Sequence, residues 1–266
     1  MTAVETLWGD GSEMKKSFLN TTMPFVTEMV QVPTAKQAEL KIRNAIADGA
    51  TAIGFQMSVL QKQYRTRETL TSIFSAAEDK PIYFTNYRGG LNVGMRDEEL
   101  MDGLFFGLEC GATLVDVMGD TFCPTSEELT MEKSAIDKQI KFIDKIHEKG
   151  GEVLMSSHVY QFRPPERVLE MALEQQRRGA DIIKIVTGAE TQEEELKNLD
   201  ICNLLKTELK VPFLFLSGGK YSYLHRTIGP SLGVCMWLCF REYDETTYEG
   251  PPLLSNVLKI KQGLKL

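Results

Sequence analysis

The sequence predicts a single-domain α/β protein of the (β/α)8 TIM-barrel class, and three observations lead there. Short apolar runs alternate with amphipathic, charge-bearing segments eight times along 266 residues. Glycine stands just past the ends of several helical segments, where a left-handed residue closes a helix. The run Ile182–Val186 is apolar on both of its alternating faces, as a parallel strand covered on both sides should be. No Pro/Ser-rich linker divides the chain, so one barrel is expected over residues 24–266, with a polar N-terminal extension, 1–23, packing on it. A doubly wound open sheet satisfies the same alternation, because strand order is not written in a sequence.

Taken in order, Phe25–Val30 is the first strand and Ala35–Ala47 the first helix, ended by Asp48-Gly49-Ala50. Ala52–Met57 and Ile82–Thr85 are the next strands, followed by helical segments Glu68–Ala77 and Asp97–Glu109. Thr113–Val117 leads into the helix Glu128–Glu148, closed by Lys149-Gly150-Gly151. Val153–Ser156 precedes Pro165–Arg178, where the proline suits a first helical turn and Gly179 the end. Ile182–Val186 precedes Gln192–Leu209, whose glutamates favour a helix N-terminus. Phe213–Leu216 with the weaker helix Tyr221–Ile228, and Gly233–Leu238 with Leu253–Leu264, complete the set.

Composition is that of a soluble globular protein, 42% hydrophobic and 25% charged. A net charge of −7, without any basic stripe interleaved with aromatics, speaks against nucleic acid as a partner. No apolar stretch has the length of a membrane span, and the N-terminal residues lack the apolar core of a signal peptide. Five cysteines without a CxxC pair read as core thiols of a cytoplasmic protein, not as disulfides or zinc ligands. Nothing matches a P-loop, a dinucleotide fingerprint or a metal-ligand cluster.

Barrels place their chemistry at the C-terminal ends of the strands. There the sequence offers Gln56 and Ser58, then Asn86, Tyr87 and Arg88, then Asp116 and Asp120, and Ser156-Ser157-His158. Lys184, Ser217-Gly218-Gly219-Lys220 and Arg241-Glu242 follow. Lys184 is the anomaly, since it occupies a hydrophobic position. A desolvated ammonium loses its proton more readily, and a neutral amine attacks carbonyl carbon. The alternative is a lysine that snorkels from the strand end or pairs with a carboxylate such as Asp181. If strand order is sequential, the strands of His158 and Lys184 are neighbours about 5 Å apart, and the imidazole is a suitable acid–base partner. His147 reads as a solvated helix residue and His225 as structural or at the site's edge. The loop Arg88-Gly89-Gly90 is either an anion nest or a plain βα loop.

Ser156-Ser157-His158 and Gly179-Ala180-Asp181-Ile182-Ile183-Lys184-Ile185 resemble the paired "SxH" and "GAD-x-x-KI" signatures of the type I 3-dehydroquinate dehydratases. Phe25-Val26-Thr27, Thr34-Ala35 and Asp48-Gly49-Ala50 resemble that family's first βα unit, and Ser217-Gly218-Gly219-Lys220 with Arg226 its "SMGK…SR" segment. The resemblance spans most of residues 24–264. It implies a (β/α)8 barrel, a homodimer in the family's manner, and a lyase without metal or organic cofactor that dehydrates a β-hydroxy ketone through a lysine imine. Lys184 would be the Schiff-base nucleophile and His158 the general acid/base. Arg226 would hold the carboxylate or hydroxyls of a small keto acid or hydroxy-ketone. Gln56, Arg88, Asp116, Ser217 and Thr247 complete the expected substrate shell. Three positions depart from the family's pattern. Its "E-W-R" reads Gly54-Phe55-Gln56, the glutamate that polarises its histidine is replaced by Arg88, and "S-x-P-G-Q" reads Thr247-Tyr248-Glu249-Gly250-Pro251. Asp116 and Glu242 are the candidates to supply the lost carboxylate. Retro-aldol chemistry on another polyhydroxylated ketone, or a non-catalytic barrel that binds a keto acid, remain as alternatives.

Overall fold

The computed structural model describes residues 16–19 and 22–266. Most of the expected N-terminal extension, residues 1–23, lies outside the described residues. Within the part described, Phe18 is buried against Phe25, ring centroids 4.8 Å apart, and its backbone N–H donates to Glu152.

Among the described residues, eight strands alternate with eight α-helices. The strands are β1 (Phe25–Val30), β2 (Ala52–Gln56), β3 (Ile82–Thr85), β4 (Leu114–Met118), β5 (Glu152–His158), β6 (Ile182–Gly188), β7 (Phe213–Gly218) and β8 (Met236–Cys239). They pair in parallel in the order β7-β6-β5-β4-β3-β2-β1-β8. The ring closes just before β8, where Val234 bridges Phe213 and the Cys235 N–H donates to the Phe213 carbonyl at 2.8 Å. Sequential order in a closed ring is a (β/α)8 barrel, which removes the open doubly wound sheet from consideration.

The helices are α1 (Ala35–Ala47), α2 (Arg67–Ser75), α3 (Asp97–Glu109), α4 (Lys133–Glu148), α5 (Pro165–Arg177), α6 (Gln192–Glu208), α7 (Tyr223–Ile228) and α8 (Leu254–Leu264). Local chemistry explains their starts. Thr34 and Thr66 accept from backbone N–H groups of the first turns of α1 and α2, and Thr191 with Glu194 forms a capping box on α6. The main core lies between helices and strands, where Phe55 and Phe84 stack at 6.2 Å and Phe74 meets both edge-on. Truncating such a ring to alanine removes about 3–5 kcal/mol.

The boundaries that differ from expectation bear on the site. β5 and β6 run two residues further than their apolar cores, so that His158 pairs in register with Val186 and Ser156 with Lys184. The helix expected from Glu128 begins at Lys133 instead. Residues 119–132 therefore form a long loop above β4.

Candidate active site

A cavity of about 700 Å³ opens at the C-terminal ends of the strands, and Lys184, His158, Gln56, Arg88 and Arg226 line it. The register places Tyr83, Asp116, Ser156 and Lys184 on the interior face of neighbouring strands. Their side chains form one hydrogen-bonded group beneath the cavity.

Lys184 is 4% exposed. Its Nζ lies 2.9 Å from the Tyr83 hydroxyl, 2.7 Å from the Tyr87 hydroxyl and 3.2 Å from Asp116 Oδ2. Both phenols donate to Asp116, and Ser156 Oγ donates to its other oxygen at 2.5 Å. Burial pulls the Lys184 ammonium below the ordinary lysine value, while the charge and hydrogen bond of Asp116 work against that fall. The amine is thus buried and paired, and it does not snorkel to solvent. Asp181, the carboxylate considered for it, accepts instead from the Val153 N–H at 2.7 Å and lies 2.8 Å from His147 Nε2. His147, expected to be only solvated, thereby ties α4 to the start of β6.

His158 ends β5, and its Nδ1 lies 2.8 Å from Glu128 Oε2, which also accepts from the His158 backbone N–H at 3.0 Å. Burial raises the Glu128 carboxyl, yet the hydrogen bonds and charge of His158 outweigh it and hold the carboxyl below its usual range. Glu128 therefore stands where neither expected carboxylate does. Asp116 is committed to Lys184, and Glu242 is exposed beside Arg241.

Several contacts outside the cavity hold the loop that delivers Glu128. Fully buried Arg178, at the end of α5, donates to the carbonyls of Gly119 and Thr130, and Gln139 of α4 donates to those of Gly119 and Thr121. Glu127 pairs with Arg163 at 2.7 Å and Arg167 at 2.6 Å. Glu128 has φ 46°, a left-handed conformation that non-glycine residues take at an energetic penalty and that persists because its surroundings impose it.

The remaining expected site residues divide. Arg226 lines the cavity, with Nε donating to the Ser217 carbonyl at 2.5 Å, and burial lowers its guanidinium's proton affinity. Gln56 also lines it and donates to Ser58 at 3.0 Å. Arg88 reaches the cavity, but its guanidinium is engaged by Asp97 at 2.8 Å and Asp120 at 2.6 Å, so it braces the β3 and β4 loops instead of waiting for an anion. Three others hydrogen-bond within the protein. Asp116 lies under the cavity as the partner of Lys184. Ser217 is buried, donates to Glu195 at 2.6 Å and accepts from Asn198 at 3.0 Å. Thr247 turns to the backbone of Asp244, leaving Tyr248 and Glu249 of its loop to line the cavity. Beyond Gly89-Gly90, the N–H groups of Leu91, Asn92 and Val93 bind backbone carbonyls and are not offered to an anion. His225 is structural: it is buried with its pKa lowered to about 3, and its Nε2 lies 3.3 Å from Cys202 Sγ.

Gly54 explains one departure from the family's pattern. A Cβ there would lie 2.2 Å from Met29 Sδ, so the place of the family's glutamate is filled by a thioether. Sequence reasoning missed Tyr83 and Glu128. Tyr83 stands inside the apolar run Ile82–Thr85, where nothing local sets it apart. Glu128 was hidden in a charged stretch taken as helix, although the apolar stripe of α4 begins only at Ala135 and Ile136. Among the described residues no group of three or more His, Cys, Asp or Glu could hold a metal ion, and no helix is long and apolar enough to cross a membrane.

Known proteins are similar to this chain in sequence and in fold. The 3-dehydroquinate dehydratase of Alkaliphilus oremlandii is 31% identical over 157 residues, which is 58% of this chain and 58% of that enzyme. The chain is thus matched over little more than half of that curated relative. The fold is shared with crystal structures of 3-dehydroquinate dehydratases at lower identity. That from Geobacillus kaustophilus is 17% identical with a TM-score of 0.77, covering 94% of this chain and 95% of the other. A type I enzyme from Clostridium difficile is 16% identical with a TM-score of 0.78, covering 92% and 94%. The family model for type I 3-dehydroquinase matches residues 28–241, most of the barrel with the lysine, the histidine and Arg226 inside it, and the chain belongs to that family.

Proposed function

We propose that this chain is a hydro-lyase that dehydrates 3-dehydroquinate to 3-dehydroshikimate through an imine on Lys184. The observation that carries the reading is a buried, carboxylate-paired amine lining the same cavity as a carboxylate-held imidazole. Lys184 Nζ attacks the ketone and water leaves, giving an iminium. This electron sink acidifies the adjacent C–H. His158 takes that proton, the enamine expels the β-hydroxyl, and the imidazolium protonates it as it departs as water. Hydrolysis then frees Lys184. Arg226 offers its terminal nitrogens to the substrate carboxylate, and its Nε bond to Ser217 fixes the plane of the fork. Met29 in the place of the family's glutamate favours a second reading, in which another hydroxy-ketone is the preferred substrate of the same chemistry. Five free cysteines, four of them buried, support a reducing cytoplasmic setting, and a homodimer is proposed from the family alone.

Borohydride trapping tests the reading. Incubation with 3-dehydroquinate and reductant should leave a covalent adduct on Lys184, read by peptide mass. Lys184→Ala should abolish it, and His158→Ala should trap while turning nothing over. Wild-type protein that accumulates no adduct overturns the proposal.

A further inference from the structure

The lysine's proton needs a route that the His158 pair does not provide. Lys184 Nζ has three neighbours at hydrogen-bond distance, the hydroxyls of Tyr83 and Tyr87 and the carboxylate of Asp116, and among the described residues no hydrogen bond joins it to His158. Asp116 is 2% exposed and does not line the cavity, nor does fully buried Tyr83. Tyr87 does. It follows β3, meets the His158 ring edge-on at 5.3 Å, and its hydroxyl is 2.5 Å from Asp116 Oδ2 and 2.7 Å from Lys184 Nζ. Of the three, only this phenol can touch the amine, the buried carboxylate and a bound carbonyl oxygen together.

We propose that Tyr87 is a catalytic residue of imine formation, relaying protons from Asp116 and Lys184 to the substrate's carbonyl oxygen. The proposal rests on the imine reading above. The ammonium first gives one proton to Asp116, which frees the lone pair. The C–N bond then forms while the C=O π electrons move to oxygen. Tyr87 protonates that oxygen and recovers a proton from the newly attached, positively charged nitrogen. Tyr87 next protonates the carbinolamine hydroxyl, which leaves as water as the nitrogen lone pair closes the C=N bond. The phenol is restored by the proton stored on Asp116. Ammonium and ketone have become iminium and water, with no net proton taken up. Burial and the adjacent carboxylate hold the phenol's pKa well above its ordinary value, so it rests as a donor.

The experiment measures the rate of cyanoborohydride-trapped adduct against 3-dehydroquinate concentration in wild type, Tyr87→Phe and Tyr83→Phe. General acid–base groups contribute about 10²–10⁴-fold, so Tyr87→Phe should lower the saturating rate by ~100-fold or more and leave the half-saturating concentration near wild type. Tyr83→Phe removes a phenol from the same amine but one that cannot reach the substrate, and its rate should fall by about 10-fold or less, below the range of a general acid–base group. Wild-type speed in Tyr87→Phe, an equal loss in both variants, or a change in half-saturation alone overturns the relay while leaving the imine intact. Absence of trapping in wild type overturns the imine reading, and the relay with it.

Discussion

Removal of the Glu128 carboxylate tests whether a loop residue has taken over the role of a strand-end one. Its Oε2 accepts from the His158 backbone and pairs with Nδ1, at 3.0 and 2.8 Å. A hydrogen bond to a charged group is worth about 1.5–3 kcal/mol, and ~1.4 kcal/mol is tenfold in rate, so Glu128→Ala should lower kcat/KM by about 10–150-fold. Glu128→Gln keeps an acceptor oxygen and should lose less. Glu128→Gly separates chemistry from folding: at φ 46° glycine relieves the backbone, so this variant should match or exceed the alanine variant in Tm while losing as much turnover. The assay is formation of the conjugated enone product, beside borohydride trapping, which should persist because Glu128 does not hydrogen-bond Lys184. Because the folded Glu128 carboxyl is depressed, the contribution of the pair to stability is present above the unfolded carboxylate's ~4.3 and is lost as pH falls through the lower folded value. Glycine-variant turnover equal to wild type would refute the assignment, and loss of trapping would show that the carboxylate serves the amine instead.

Two further outcomes follow from buried charges. Glu28 of β1 is 1% exposed, its Oε2 has no hydrogen-bond partner, and burial raises its pKa to about 7. The folded state holds this proton more tightly than the unfolded chain, so stability falls as pH rises from the unfolded value through 7. At ~1.4 kcal/mol per pKa unit the loss is about 3 kcal/mol, and Glu28→Gln should raise Tm at pH 8 but not at pH 4; equal effects at both would contradict it. Arg226→Ala should raise KM for 3-dehydroquinate by roughly tenfold or more, as loss of a charged hydrogen bond implies, and Arg226→Lys should not restore it because the Nε bond to Ser217 is lost. An unchanged KM in steady-state kinetics would remove Arg226 from the substrate site.

Particular residues show where sequence reasoning ends. Strand and helix positions were legible because each element buries a periodic stripe, as in Ala35–Ala47 and Asp97–Glu109, whose bounds agree with the helices. Lys184 was legible because it interrupts an apolar strand, and His158 because it stands just past the apolar run of the preceding strand in a segment that pairs with the lysine's. Thr247 and Ser217 were assigned to substrate from motif position and Asp116 from its place at a strand end, yet their side chains hydrogen-bond within the protein. Motif position specifies where a Cα falls, and the neighbours decide where the side chain spends its hydrogen bonds.

The sequence by itself determined an alternation of buried strands and amphipathic helices, with an amine inside one strand and an imidazole at the end of the strand before it, since burial periodicity is a local property. Strand order, and with it the ring, came from the structure. Only the tertiary structure decided which groups partner them. Tyr83, Tyr87 and Asp116 meet Lys184 from β3 and β4 because closing the barrel turns three strands' interior faces toward one point. Glu128 reaches His158 because a fully buried arginine and two ion pairs hold a loop that has no periodicity to read. Contacts between residues 30 to 100 positions apart depend on geometry that chain closure alone supplies.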